Sequence, residues 1–100
     1  MTKYINEFLK CIDEQRYFDA HEALETVWFP RRFEDDNEVK LLRCFINAAV
    51  SLELAKRGKH PQAKKVWQNY LKYKHFLDQI NSPHIKLYKQ TAIYLEHIRP

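Results

Sequence analysis

An all-α fold is what this sequence predicts: five helices in an up-down bundle around a buried central third helix, as a single domain over residues 1–100. Three observations carry it. One glycine and four prolines in 100 residues leave too little turn chemistry for a sheet of short hairpins. Apolar residues recur at helical spacing along most of the chain. The glycine and the prolines fall between those apolar runs, where helices start and stop. Apolar residues make up 45% of the chain and charged residues 30%, the mixture of a globular domain rather than a disordered segment. A chain of this size buries roughly two-thirds of the surface it exposes when unfolded, so a core forms without disulfide staples.

The first helix is expected over about 3–15, with Tyr4, Ile5, Phe8, Leu9 and Ile12 in one stripe. A second runs from about Tyr17 to Phe29 and stops at Pro30. Residues 31–34 read as a loop, and Asp35 with Glu38 three residues later reads as an N-cap with a capping-box partner. The third helix, about 36–57, is apolar around most of its circumference, from Leu41 to Leu54, and ends at Gly58 after the basic pair Lys56-Arg57. Pro61 opens a fourth helix reaching about Ile80, and Ser82-Pro83 opens a fifth over about 84–98. Short connections predict antiparallel neighbours.

Charge is divided unevenly. Residues 1–50 hold seven Lys/Arg against ten Asp/Glu, residues 51–100 ten against three, for a net +4 overall. From Lys56 to Lys74 basic residues interleave with Trp67, Tyr70 and Tyr73, the composition of a nucleic-acid surface. At helical spacing, however, Lys64, Lys65 and Lys72 gather on one side and the aromatics on the other. A solvated basic face over a buried aromatic one is therefore expected, and nucleic acid is disfavoured as a partner.

Other classes are set aside on similar grounds. No run of about 18 apolar residues exists to span a membrane, and the N-terminal residues have no apolar leader segment. Cys11 and Cys44, each inside an apolar pattern, read as reduced core thiols, which points to the cytoplasm. There is no G-x-S-x-G elbow and no glycine-rich phosphate loop.

The second helix carries the unusual chemistry. On its wheel Trp28, His21, Glu25, Phe18, Phe29 and Glu22 share a sector of roughly 120°. The opposite side offers only Ala20, Ala23, Val27, Asp19 and Thr26. Two carboxylates and an imidazole among the bulkiest aromatics must find partners or shift their pKa values, as groups in an active site do. His21 and Glu25, at i and i+4, can pair or converge on one ion. A structural network is the alternative, with His21 and Glu25 paired to each other and to Arg43 or Asn47 of the third helix. Glu53 is a second candidate buried carboxylate.

The segment Phe18-Asp19-Ala20-His21-Glu22-Ala23-Leu24-Glu25-Thr26-Val27-Trp28 resembles the F-x-x-H-E-x-L-E-x-x-W signature of the domain-of-unknown-function 309 family, small helical proteins of bacteria and archaea. Leu42 to Ala49 and the later Lys56-Arg57-Gly58 resemble a second, less specific segment of that family. The resemblance implies an all-α domain and the label of a metal-dependent hydrolase. It transfers interest to Phe18, His21, Glu22, Leu24, Glu25 and Trp28, and to Asn47. This chain departs from the pattern at Cys44, where many members have glycine, and at Asn47, where they have glutamine.

Two functions of different kinds follow. In a metal-dependent hydrolase, His21 and Glu25 would be ligands for a divalent ion (manganese, iron or zinc), Glu22 the general base and Glu53 the best third ligand, in a pocket with Phe18, Trp28, Arg43 and Asn47. His60, His75, His84 and His97 fall near helix ends or on outer faces. In a non-catalytic interaction module the His/Glu cluster is structural, and partners meet the basic 56–74 region or exposed aromatics such as Phe76. The apolar central helix makes a homodimer a further partner to test.

Overall fold

The computed structural model describes residues 1–100. It contains α1 (Thr2–Asp13), α2 (Tyr17–Trp28), α3 (Asn37–Lys56), α4 (His60–Tyr73) and α5 (Ile85–Ile98), with 3-10 turns at Phe29–Arg31 and Lys74–Gln79, and no strand. No helix is long and apolar enough to cross a membrane. The fold is all-α, and α3 is its centre. It supplies ten buried residues, Val39 to Leu52, and packs on both α2 and α4, while α1 packs on α2. All five helices contribute to one hydrophobic core. In it the Phe8 ring of α1 lies 6.4 Å from Phe45 of α3, and Phe45 lies 6.1 Å from Tyr88 of α5. With neighbours over its apolar face, α3 exposes only Arg43 and Lys56, so the apolar surface that suggested a homodimer is already covered within one chain.

Helix ends follow the local chemistry, with informative departures. At the end of α3 the amide of Gly58 donates to Ala55 and that of Lys59 to Leu54 at 2.9 Å, with Gly58 at φ +78°. This is the left-handed cap expected of glycine. The same hydrogen-bond pattern closes α1, where Gln15 takes φ +59°. Its amide donates to Ile12 at 3.0 Å and that of Arg16 to Cys11 at 2.8 Å. A β-carbon in that region costs roughly 1–2 kcal/mol, part of which glycine returns as unfolded-state entropy. Gln15→Gly is therefore expected to raise stability by about 0.5–1 kcal/mol in urea melts. The Lys56 ammonium, which donates to the Gln15 carbonyl at 2.8 Å, keeps its partner in that variant. An unchanged or lower midpoint would contradict the expectation.

The N-cap of α3 is Asp36 rather than Asp35. Its carboxylate accepts from the amides of Glu38 at 2.7 Å and Val39 at 3.3 Å. Asp35 sits one residue further out and pairs with Lys40. Glu38 does not reach back to the cap. It accepts instead from the hydroxyls of Ser82 at 2.7 Å and Tyr88 at 2.8 Å, fastening the start of α5 to the start of α3. Ser82 also accepts the amide of His84, so its cap-like bond lies in the turn before α5 and the helix proper begins at Ile85.

The fourth helix is shorter than its pattern suggests. It ends at Tyr73 and continues as 3-10 backbone to Gln79. A 3-10 turn advances about 120° per residue instead of 100°. That extra rotation brings Phe76 and Leu77 onto the core, although at α-helical spacing Phe76 falls off the apolar face. Along α4 proper, Ala63, Trp67 and Tyr70 are buried and Lys64, Lys65 and Lys72 are exposed, as the amphipathic reading expects, but Tyr73, expected on the buried aromatic face, is exposed at the helix end. The buried aliphatic hydroxyls are both satisfied, Ser51 donating to the Ala63 carbonyl at 2.6 Å and Thr91 to the Leu87 carbonyl at 2.8 Å.

Candidate functional site

On α2 the buried residues are Ala20 and Leu24; of the charged aromatic sector Trp28 packs against the core, while Phe18, Glu22 and Phe29 face outward. Phe18 is 52% exposed and Phe29 50% exposed, and neither carboxylate is buried. This corrects the expectation that the sector with the bulkiest side chains lies among core groups. Alanines on the inner face let α2 approach α1 and α3 closely. Turning the helix the other way would strip water from Glu22 and Glu25 with few cations at hand.

The Nε2 atom of His21 lies 2.6 Å from the Glu25 carboxylate, and its ring is 6.0 Å from that of Phe18. His21, Glu22 and Glu25 line an open cavity of about 360 Å³ with Thr26, Phe29 and Pro30. Glu22 enters none of the chain's ion pairs. Beyond the cavity the Arg32 guanidinium sits 3.7 Å from the centre of the Phe29 ring and 4.5 Å from that of Phe33, which is 88% exposed. An arginine held between two aromatic rings at the surface extends the aromatic patch past the end of α2.

The other expected members lie elsewhere. Glu53 is only half-buried and pairs with Arg57 at 2.9 Å. No group of three or more His, Cys, Asp and Glu side chains comes together in a ligating arrangement, so Glu53 does not join His21 and Glu25 as a third ligand. Arg43 and Asn47 make no bond to the His21–Glu25 pair. Arg43 touches the α2 face only through its guanidinium, 5.9 Å from the Trp28 ring. Both line a separate cavity of about 500 Å³, walled by Lys40 and Cys44 of α3, Asn69 and Tyr73 of α4, and Phe76. Sequence reasoning missed Lys40, Asn69, Tyr73 and Phe76 as companions of Arg43. The available signal was the i, i+4 pair Arg43 and Asn47, set outside the apolar stripe of α3.

A family model described as a domain of unknown function, DUF309, matches residues 5–66 of the 100. The chain belongs to the DUF309 family. The DUF309 match takes in most of α1, all of α2 and α3 and the first half of α4, so it contains the outward face of α2 and ends before Asn69, Tyr73 and Phe76. No curated protein and no solved structure matches the chain.

Burial disfavours the thiolate form of both cysteines in this DUF309 protein. Both cysteines are free and buried. Burial, with the Glu96 charge nearby, pushes the Cys44 thiol from the usual value near 9 up to about 12. Its Sγ donates to the Tyr70 carbonyl at 3.3 Å. Burial likewise raises the Cys11 thiol. A folded-state pKa above the unfolded one means that the neutral thiol's stabilisation is complete below about pH 9 and is lost as pH climbs toward 12. Stability from urea melts is expected to fall between pH 8.5 and 10, and more shallowly in Cys44→Ala. Parallel pH profiles for the two proteins would remove Cys44 as the cause.

Proposed function

We propose that this DUF309 protein is a non-catalytic interaction module whose outward α2 face recognises a protein segment carrying an apolar anchor beside Lys or Arg. The observation that carries this reading is the orientation of α2: alanine and leucine face the core, while Phe18, Phe29 and the neighbouring Phe33 remain in water. Exposed aromatics beside an arginine are what the centre of a protein interface is enriched in. Glu22, unpaired between Phe18 and Phe29 in the sequence, supplies the complement for a basic residue. The His21–Glu25 pair then acts as a rigid polar element of that face. Two free, buried thiols fit work in the cytoplasm.

The metal-dependent hydrolase reading keeps His21 and Glu25 as two ligands and Glu22 as base, but it needs a third protein ligand for a catalytic zinc. With Glu53 held by Arg57, nothing supports that ligand.

The test is selection of displayed random peptides on the immobilised protein, followed by affinity measurements on the peptides recovered. They are expected to carry an aromatic or large aliphatic residue next to Lys or Arg, and to bind Glu22→Lys and Phe29→Ser at least tenfold more weakly. Binding to Lys64→Glu should be unchanged. Failure to enrich any peptide, or equal binding to Phe29→Ser, overturns the proposal. So does a rise in melting temperature with manganese, iron or zinc that vanishes in His21→Ala, which would favour the metal reading instead.

A further inference from the structure

The α3–α4 cavity includes polar side chains whose bonding capacity is unspent. Arg43 enters none of the ion pairs, and no acidic residue lines the cavity. The carboxamides of Asn47 and Asn69 make no hydrogen bond within the protein. Lys40, on the same wall, pairs with Asp35, a carboxylate almost wholly in water, and lies 5.5 Å from the centre of the Phe76 ring; such surface pairs are worth little. The aromatic wall is ordered: the Tyr73 and Phe76 rings lie 6.3 Å apart and only 10° from parallel. At about 500 Å³ the space is within the range of small-molecule sites.

Each group suggests one part of a ligand. Arg43 presents a planar fork of donors suited to phosphate or carboxylate, with Lys40 as a second positive charge. Each carboxamide offers a donor and an acceptor side by side in one plane, the pattern that pairs with the edge of a heterocycle. The Tyr73 ring is more than a third exposed, with Phe76 near-parallel 6.3 Å away and the Lys72 ammonium 5.2 Å from its centre, and its remaining exposed surface is where a planar ring can pack. We infer that this cavity is a binding site for a mononucleotide, its phosphate on Arg43 and its base against Tyr73, with Asn47 and Asn69 along the base edge. The site is separate from the α2 face and is independent of the function proposed for it.

Amide chemical shifts of the isotopically labelled full chain, titrated with AMP and UMP, test this directly. Adenosine and inorganic phosphate serve as single-part probes. At least one nucleotide is expected to move amides near residues 40–47 and 69–76 with submillimolar affinity, and each part alone should bind at least tenfold more weakly. Arg43→Gln and Tyr73→Ala, both at exposed positions, should weaken nucleotide binding at least tenfold while keeping the wild-type melting temperature. Phe29→Ser should bind as wild type does. The inference is overturned by any of three results: neither nucleotide moves those amides, Arg43→Gln binds equally well, or phosphate alone binds as tightly as the nucleotide.

Discussion

Phe45→Ala is expected to destabilise the protein by about 3–5 kcal/mol, the usual cost of deleting a fully buried aromatic ring. Phe45 is completely buried, with the rings of Phe8 of α1 and Tyr88 of α5 both beside it. Removing it takes contact from three helices at once, and neighbours anchored on separate helices cannot all collapse into the gap. Domains of this size have total stabilities of roughly 5–15 kcal/mol, so the variant should sit near its unfolding threshold at physiological temperature. Thermal melts by circular dichroism should show the midpoint lowered by roughly 12 °C or more. Phe45→Leu keeps most of the volume and should lose much less. Equal melting of wild type and Phe45→Ala would mean that these three helices do not share a packed centre.

Glu38→Ala is expected to cost about 2–3 kcal/mol through a polar mechanism, because hydrogen bonds to charged groups and orphaned buried donors both fall in that range. The Glu38 carboxylate accepts from both the Tyr88 and the Ser82 hydroxyls. Tyr88 is fully buried, and burial together with its bond to Glu38 pushes the phenol well above its ordinary pKa. Without the carboxylate its hydroxyl loses the one acceptor the structure gives it. Thermal melts should fall by roughly 8 °C or more. A double-mutant cycle gives the decisive comparison: once Tyr88→Phe removes the donor, Glu38→Ala should cost appreciably less. Strict additivity of the two substitutions would show that the bond contributes nothing to holding α5.

The outline of the fold was legible in the residues. Pro30, Gly58 and Pro61 mark helix ends by removing donors or accepting positive φ, effects that act within a few residues and depend little on the rest of the chain. The apolar circumference of α3 marked it as the central helix for the same kind of reason. Asp35 and Asp36 are both competent caps, and the choice between them turned on one residue of register. Gln15 escaped notice because a left-handed cap is normally signalled by glycine or asparagine. The 3-10 stretch after Tyr73 was hidden too, since its cause is the core's demand for Phe76 and Leu77 rather than any local propensity.

The candidate site was legible as chemistry but not as a place. A helical wheel gives the angles of His21, Glu22, Glu25, Phe18 and Trp28 relative to one another, and the 2.6 Å His21–Glu25 contact follows from their i, i+4 spacing. It does not give the rotation of α2 about its own axis. That was decided by the close fit of Ala20 and Leu24 to the neighbouring helices and by the cost of desolvating two carboxylates. Arg43 and Asn47 likewise shared a strip by sequence, but only the approach of α4 to α3 placed them opposite Asn69 and Tyr73. By itself the sequence determined the helices, most of their ends and the face on which each charge lies, because those depend on backbone terms acting over a few residues. Tertiary structure decided which faces meet and which carboxylate ties which helices, as with Glu38 and Tyr88, 50 residues apart. Those outcomes depend on shape and desolvation summed over contacts between distant segments, which no local pattern encodes.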